Sequence, residues 1–343
     1  MSNQAEVSVL FIFQPREELQ KYFQDNLKNY SNVKLIFPPN LEEQTFLKYA
    51  SEADIIVGWR PSEELLTAAH KLSLFINPGV GVQDLTAIFH KINQTRKVIL
   101  CNGHGNTYFT AQHAVALLLA LTNKIIPHHN WMKEGQWRKG DGDAQSIPLR
   151  NRKIGLLGYG AVNTKVHKFL AGFDVEFHVL KRDWNKERIN TLPTNVTKYE
   201  ANGLQKFLRE IDILIVALPL TTYTREIIGK KELELLGSNS LLVNVGRGEL
   251  IEEESLFYAL KENIIAGAAL DVWYNYNPEP DNSGKKFPSK YPFNELNNVI
   301  LSPHRGASPM NDLQRWDEII ENIIRFTLGQ TNFLNIVDLK NEY

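Results

Sequence analysis

Cysteine is nearly missing from this chain: Cys101 is the only one in 343 residues. That excludes an internal disulfide framework and any multi-cysteine metal site, and it suits a reducing, cytoplasmic setting. An excess of one charge is missing too. Lys and Arg total 38 against 39 Asp and Glu, a net charge of −1, so the basic field that nucleic acid requires is absent. Long apolar runs are also lacking. The longest near the middle, 114–121, falls far short of the ~20 residues of a spanning helix. The apolar stretch 7–13 follows Glu6 with no basic region or small-residue cleavage site before or after it. It reads as a first strand and not as a signal peptide. Neither nucleic acid nor a membrane is expected as a partner.

What is present is ordinary for a globular chain: 43% hydrophobic and 22% charged residues, at a length that suits two domains of roughly 150 residues each. Short runs rich in Val, Ile and Leu at 7–13, 33–37, 55–59, 72–77 and 98–101 are separated by amphipathic stretches such as 16–26 and 84–91. An apolar helical stretch follows at 107–124, with no Gly or Pro inside it. The strand pattern then resumes at 153–157, 175–180, 212–218, 241–245, 266–270 and 299–301, and 312–328 closes it as an amphipathic helix. Strands alternating with helices predict right-handed crossovers and parallel sheets, an α/β fold in two domains. The stretch 275–292, rich in Pro, Asn, Lys, Ser and Gly, is the one long irregular loop. His128-His129 are adjacent and lack accompanying carboxylates, so no metal is expected. Trp131, Trp137 and Trp184 read as packing or contact residues.

The strand at 153–157 runs into Gly158-Tyr159-Gly160-Ala161-Val162-Asn163 and then a helix. A turn of this kind aims backbone N–H groups and a helix N-terminus at a pyrophosphate. Asn163 stands where the third glycine of G-x-G-x-x-G is usual, and it either shifts the helix or places its amide near a phosphate. The next strand ends at Leu180, and Lys181-Arg182 follow it. An NAD-binding domain places Asp or Glu near there for the ribose 2′-hydroxyl. Two cations instead suit a 2′-phosphate, which favours NADP(H) over NAD(H).

More specific motifs lie further along: VALPLTTYTREIIG, LLVNVGRGELIEEESLFYALKENIIAGAALDVW and NVILSPHRGAS, preceded by INPGVGVQDL and CNGHGNTYFTAQHAVALLLAL. In this order they resemble the D-isomer-specific 2-hydroxyacid dehydrogenase family over about residues 55–307. The resemblance implies a flavodoxin-like substrate domain, residues 1–105 completed by 305–343. It implies a Rossmann-type doubly wound domain at 106–304 for the dinucleotide, an interdomain helix near 107–124, a reaction cleft between the domains and a homodimer. It implies hydride transfer between the nicotinamide and a small anionic substrate, a 2-keto acid or D-2-hydroxy acid.

In that family setting Arg247 holds the carboxylate, a task suited to the guanidinium fork, and His304 is the general acid and base. Asp271 accepts from the nicotinamide carboxamide. The backbone of Val80 and Gly81 receives the substrate carboxylate. Pro219, Thr221, Thr224, Val245 and Gly246 line the cofactor side with Gly158, Gly160, Ala161, Val162 and Asn163. Arg60, beside Trp59, and His104, near Asn106, are candidate substrate contacts. The sequence departs from the family at the glutamate that pairs with the histidine. A gapless count puts Tyr276 there, and a three-residue insertion would put Glu279 there instead. Gln112 is a second departure, where the family commonly has Glu. Formate- and phosphite-type dehydrogenases on the same fold, or a cofactor-sensing, corepressor-like binding protein, are the alternatives.

Overall fold

The computed structural model describes residues 5–139, 142, 144–184, 192–307 and 312–343. The chain divides into two compact units, Met1–Asn106 with Pro309–Tyr343, and Thr107–Ser308. Each is a parallel sheet with helices on both faces.

The first unit orders its five strands β2-β1-β3-β4-β5: β1 (Val7–Phe11), β2 (Val33–Ile36), β3 (Ile55–Val57), β4 (Leu74–Asn77) and β5 (Ile99–Asn102). β1, β3 and β4 are buried along their whole length, because helices cover both sides of a parallel sheet and leave no polar face to alternate with. The period of two still sorts their side chains. Leu10, Ile56 and Phe75 enter one core, while Val9, Phe11, Ile55, Val57, Leu74 and Ile76 enter the other. That second core is closed by Trp316, Ile319, Ile320 and Ile323, the last three from the Asp317–Thr327 helix. The chain beyond it returns to the sheet, where Ile336 bridges Cys101 and the Val337 N–H donates to Leu100 O at 2.8 Å.

The second unit has seven strands in the order β12-β11-β10-β9-β6-β7-β8. They are β6 (Lys153–Leu157), β7 (Glu176–Leu180), β8 (Val196–Tyr199), β9 (Ile213–Val216), β10 (Leu241–Asn244), β11 (Gly267–Leu270) and β12 (Val299–Leu301). From β6 the chain moves outward through β7 and β8, then crosses to the other side of β6 with β9. Order therefore reverses between β6 and β9, and in open sheets ligands bind outside the carboxyl ends of the strands at such a point. The Thr107–Thr122 helix packs on this sheet through Ala111, Ala114, Leu117, Leu118 and Leu121. Among the described residues no single helix is long and apolar enough to cross a membrane.

Candidate active site

The chemistry-bearing residues of the second unit lie just past the carboxyl ends of its strands. β6 runs into the glycine turn. Gly158 has φ +81°, and a Cβ there would press on Leu218 and the Ala217 carbonyl. The left-handed turn and the crowding both call for glycine. A Cβ on Gly160 would meet nothing within 4 Å, so the backbone here faces open space. Gly160 precedes the Ala161–Leu170 helix, whose first N–H groups have no partner within the helix. An exposed Gly160 beside the partly exposed Ala161 and Val162 is a cradle that fits a pyrophosphate.

Asn163 does not take part in that cradle with its side chain. It is fully buried, and its amide donates to the Gly158 carbonyl at 2.7 Å and the Leu157 carbonyl at 3.2 Å. Of the two outcomes open in the sequence, reaching a phosphate is thus set aside. The asparagine fills the helix–strand contact that glycine usually makes and ties helix to turn by hydrogen bonds. Tyr159 is also turned inward. Its hydroxyl meets His167 Nδ1 at 2.6 Å, and His167 Nε2 meets Thr194 Oγ1 at 2.8 Å. Burial lowers His167 from 6.5 to about 4, so the folded protein keeps it neutral while the unfolded chain protonates below about 6.5. Stability is therefore expected to fall as pH drops from about 6.5 toward about 4. Melting temperatures across that range should decline less steeply in His167→Gln.

Past β7, Lys181 lies with its Nζ 5.6 Å from the Trp184 ring, and Lys198 of β8 lies 4.8 Å from the same ring. Arg182 is exposed. Past β9, the Thr224 hydroxyl donates to Pro219 O at 2.7 Å and accepts from the Thr221 N–H at 2.9 Å, which locks a tight turn.

Past β10, Asn244 shapes the turn that carries Arg247. Its Oδ1 accepts from Gly246 N at 3.0 Å and its Nδ2 donates to Arg247 O at 2.9 Å. Gly248 packs so closely on Trp273 that any Cβ would collide with that residue's carbonyl. Val245 and Gly246 are buried in this turn, and Arg247 is half-buried.

Past β11 and β12 the site closes around His304, a non-glycine residue at φ +56°. Backbone strain of this kind needs a restraint, and Asp271 supplies it. Its Oδ1 accepts from Ser302 Oγ at 2.5 Å and Arg305 N at 2.6 Å, and its Oδ2 accepts from Gly306 N at 2.8 Å. His113, from the Thr107–Thr122 helix, lies 2.8 Å from Ser302 Oγ and 3.3 Å from Asp271 Oδ1. Burial opposes ionisation of Asp271, yet the hydrogen bonds from His113, Ser302, Arg305 and Gly306 outweigh it and hold the carboxyl below its ordinary range. The resemblance gives Asp271 to the cofactor's carboxamide. Here the residue is 2% exposed and acts as the buried anchor of the histidine turn. Neither His113 nor Ser302 stands out in the sequence, although each lies inside a quoted motif.

The Tyr276 hydroxyl lies 2.6 Å from His304 Nδ1 and accepts, at 3.4 Å, from the Trp273 N–H. Glu279 is exposed and is not the residue on the histidine. Partial desolvation first, and the Arg247 charge second, push His304 below its ordinary value, against the pull of Asp271.

In the first unit, Val80 is 40% exposed at the tip of the 78–81 loop. Arg60 is exposed with φ +51°. Its neighbour Trp59 packs edge-on against Phe13 and Trp316, at 5.1 and 6.1 Å between ring centroids. The His104 N–H donates to Glu318 Oε2 at 2.7 Å, and Asn106 is buried. Gln112, in the second unit, is exposed on its helix.

The sequence model described as "D-isomer specific 2-hydroxyacid dehydrogenase, NAD binding domain" matches residues 115–306, more than half of the chain. The chain belongs to that family. Among curated relatives, a D-3-phosphoglycerate dehydrogenase of Archaeoglobus fulgidus is 32% identical over 71% of the chain, which spans 43% of that longer protein. A glyoxylate reductase of Aeropyrum pernix is 30% identical over 85% of each chain. Among solved structures, an NADPH-dependent glyoxylate/hydroxypyruvate reductase of Sinorhizobium meliloti, in complex with NADP and sulfate, superposes with a TM-score of 0.77. It is 22% identical, and the match covers 98% of this chain and 100% of that one. The family accounts for the two parallel sheets, and it makes the chain an NAD(P)-dependent oxidoreductase of the 2-hydroxyacid class.

Proposed function

We propose that this dehydrogenase reduces a small 2-keto acid to the D-2-hydroxy acid with NADPH, with Arg247 and His304 as its working side chains. The observation that carries the reading is the His304 turn. It is an imidazole carried on a left-handed backbone that Asp271 anchors from below, held by Tyr276 at Nδ1, with Arg247 near enough for its charge to be felt. The Arg247 guanidinium binds and orients the carboxylate. His304 delivers a proton from Nε2 to the carbonyl oxygen and is left as neutral imidazole, and in oxidation the same nitrogen takes the proton back. Tyr276 fixes the ring plane. Because Nε2 carries the exchanged proton, Nδ1 keeps its hydrogen in both states and the hydroxyl accepts from it throughout, without the charge that favours imidazolium. The nicotinamide, when bound, supplies or accepts the hydride. The turn at Gly158, Gly160, Ala161 and Val162 holds its pyrophosphate, and the turns at Pro219–Thr224 and Val245–Gly246 flank the nicotinamide half.

Lys181 and Arg182, at the end of β7, support NADPH as the partner, as does Lys198 beside the same indole. The testing experiment follows NADPH and NADH oxidation against glyoxylate, hydroxypyruvate, pyruvate, and branched and aromatic keto acids. NADPH-dependent turnover on a member of this panel is expected. Tight cofactor binding without turnover on any of them overturns the reading. Lys181→Ala with Arg182→Ala should raise KM for NADPH ~10- to 100-fold, on the scale of one or two lost charge-assisted contacts, and leave NADH nearly unchanged.

A further inference from the structure

In the first unit, β4 and β5 end in asparagines that are register partners, Asn77 opposite Asn102. Both are buried, at 3% and 7% exposure. Asn77 Nδ2 donates to Gly79 O at 2.6 Å and to Gly81 O at 3.0 Å, while Asn102 Nδ2 donates to Val80 O at 2.7 Å. Three consecutive carbonyls are thereby drawn toward the ends of the strands. A trans peptide puts its C=O and its N–H on opposite sides. Gly79 C=O shares a peptide with Val80 N–H, and Val80 C=O shares one with Gly81 N–H, so fixing the carbonyls inward turns these two donors outward. No acceptor among the described residues meets either N–H. Successive outward N–H groups form an anion-binding concavity. The Gly103 N–H donates to Asn77 O at 2.8 Å, which locks the two strand ends together beneath the loop.

We propose that Asn77 and Asn102 are positioning residues that hold the 79–81 loop with the N–H groups of Val80 and Gly81 set to receive a carboxylate. The proposal rests on the reading that the substrate is a 2-keto acid. Neither asparagine touches substrate. Each acts through the peptide groups that it orients, and a loop of this composition with two glycines would otherwise be free to rotate those peptides.

The test uses the intact protein with NADPH bound and has two readouts: steady-state kinetics on whichever keto acid the wild type reduces, and calorimetric titration with oxalate, an unreactive dicarboxylate. In Asn77→Ala and Asn102→Ala, KM for the keto acid and the dissociation constant for oxalate are expected to rise ~10- to 100-fold, the scale of one or two lost hydrogen bonds to a charged group. Cofactor affinity should stay within about twofold, and kcat should fall less than kcat/KM does. Asn77→Ser, which keeps a donor, should recover part of the loss. It also serves as the folded comparison if Asn77→Ala does not fold. Variants that bind oxalate as the wild type does, or that lose cofactor and oxalate affinity together, overturn the proposal while the keto-acid reading stands. A wild type that reduces no keto acid but binds oxalate in an Asn77-dependent way overturns the function and leaves the anion seat in place.

Discussion

His304→Ala is expected to lower kcat for keto-acid reduction ~10²- to 10⁴-fold, the usual range for removing a general acid, with NADPH affinity nearly unchanged. Turnover within about tenfold of wild type would remove His304 as the proton donor. The pH profile gives a sharper form of the same test. Reduction needs the imidazolium, and desolvation, then Arg247, push His304 below its ordinary value. The protonated form is therefore lost sooner as pH rises, and kcat/KM for reduction should fall through a midpoint on the acid side of an ordinary histidine. Oxidation, which needs neutral imidazole, should persist to lower pH. Tyr276→Glu introduces an anion where the phenol now meets Nδ1 and should move the reduction limb to higher pH. Tyr276→Phe should leave that midpoint low while reducing kcat, since only the orienting hydrogen bond is lost.

The largest stability effect is expected at Asp271. Alanine there would strand the Ser302 hydroxyl and the Arg305 and Gly306 N–H groups in a buried pocket. Uncompensated donors of this kind cost ~1–3 kcal/mol each, and breaking a buried charged cluster ~3–5 kcal/mol in all. In a unit of this size that corresponds to a drop in melting temperature on the order of 10 °C, readable by scanning calorimetry. Activity should fall further than stability explains, because the left-handed backbone of His304 would lose its restraint. Asp271→Asn should be milder at neutral pH. The native carboxylate is held below its ordinary range, so its contribution is complete above the unfolded carboxyl's titration. It is lost as pH falls through the lower folded value, and the wild type's advantage over Asp271→Asn should shrink in acid.

Most strand positions along the chain are legible because the inner strands of both parallel sheets are covered on both faces and appear as apolar runs. β8 escapes this signal. It is an edge strand with only Tyr199 of its four residues buried, and its sequence reads like a loop. Of the proposed site, the turns that carry Arg247 and His304 are legible from motifs because those turns are local. The contacts of Asn102, His113 and Ser302 are not, since each depends on a partner brought close by folding. His113 meets Ser302 across 189 residues of sequence. Asn163 shows the same limit: its departure from glycine is visible at once, but the direction of its amide follows from the packing of the helix on β6 and β9.

During synthesis the second sheet is complete while the first still waits. Val9, Phe11, Ile55 and Leu74 emerge early, yet Trp316, Ile319, Ile320 and Ile323, which share their core, come after all of β6–β12. Domains ordinarily fold from the N-terminal end as they leave the ribosome. Here that order is interrupted: the Glu17–Leu27 helix covers part of this apolar face of β1, β3 and β4 early through Leu19, Phe23 and Leu27, but the part that Trp316, Ile319, Ile320 and Ile323 close waits through the translation of roughly two hundred residues. At ~5–20 residues per second that is an interval of tens of seconds at the slow end, long enough for a chaperone to engage the nascent chain.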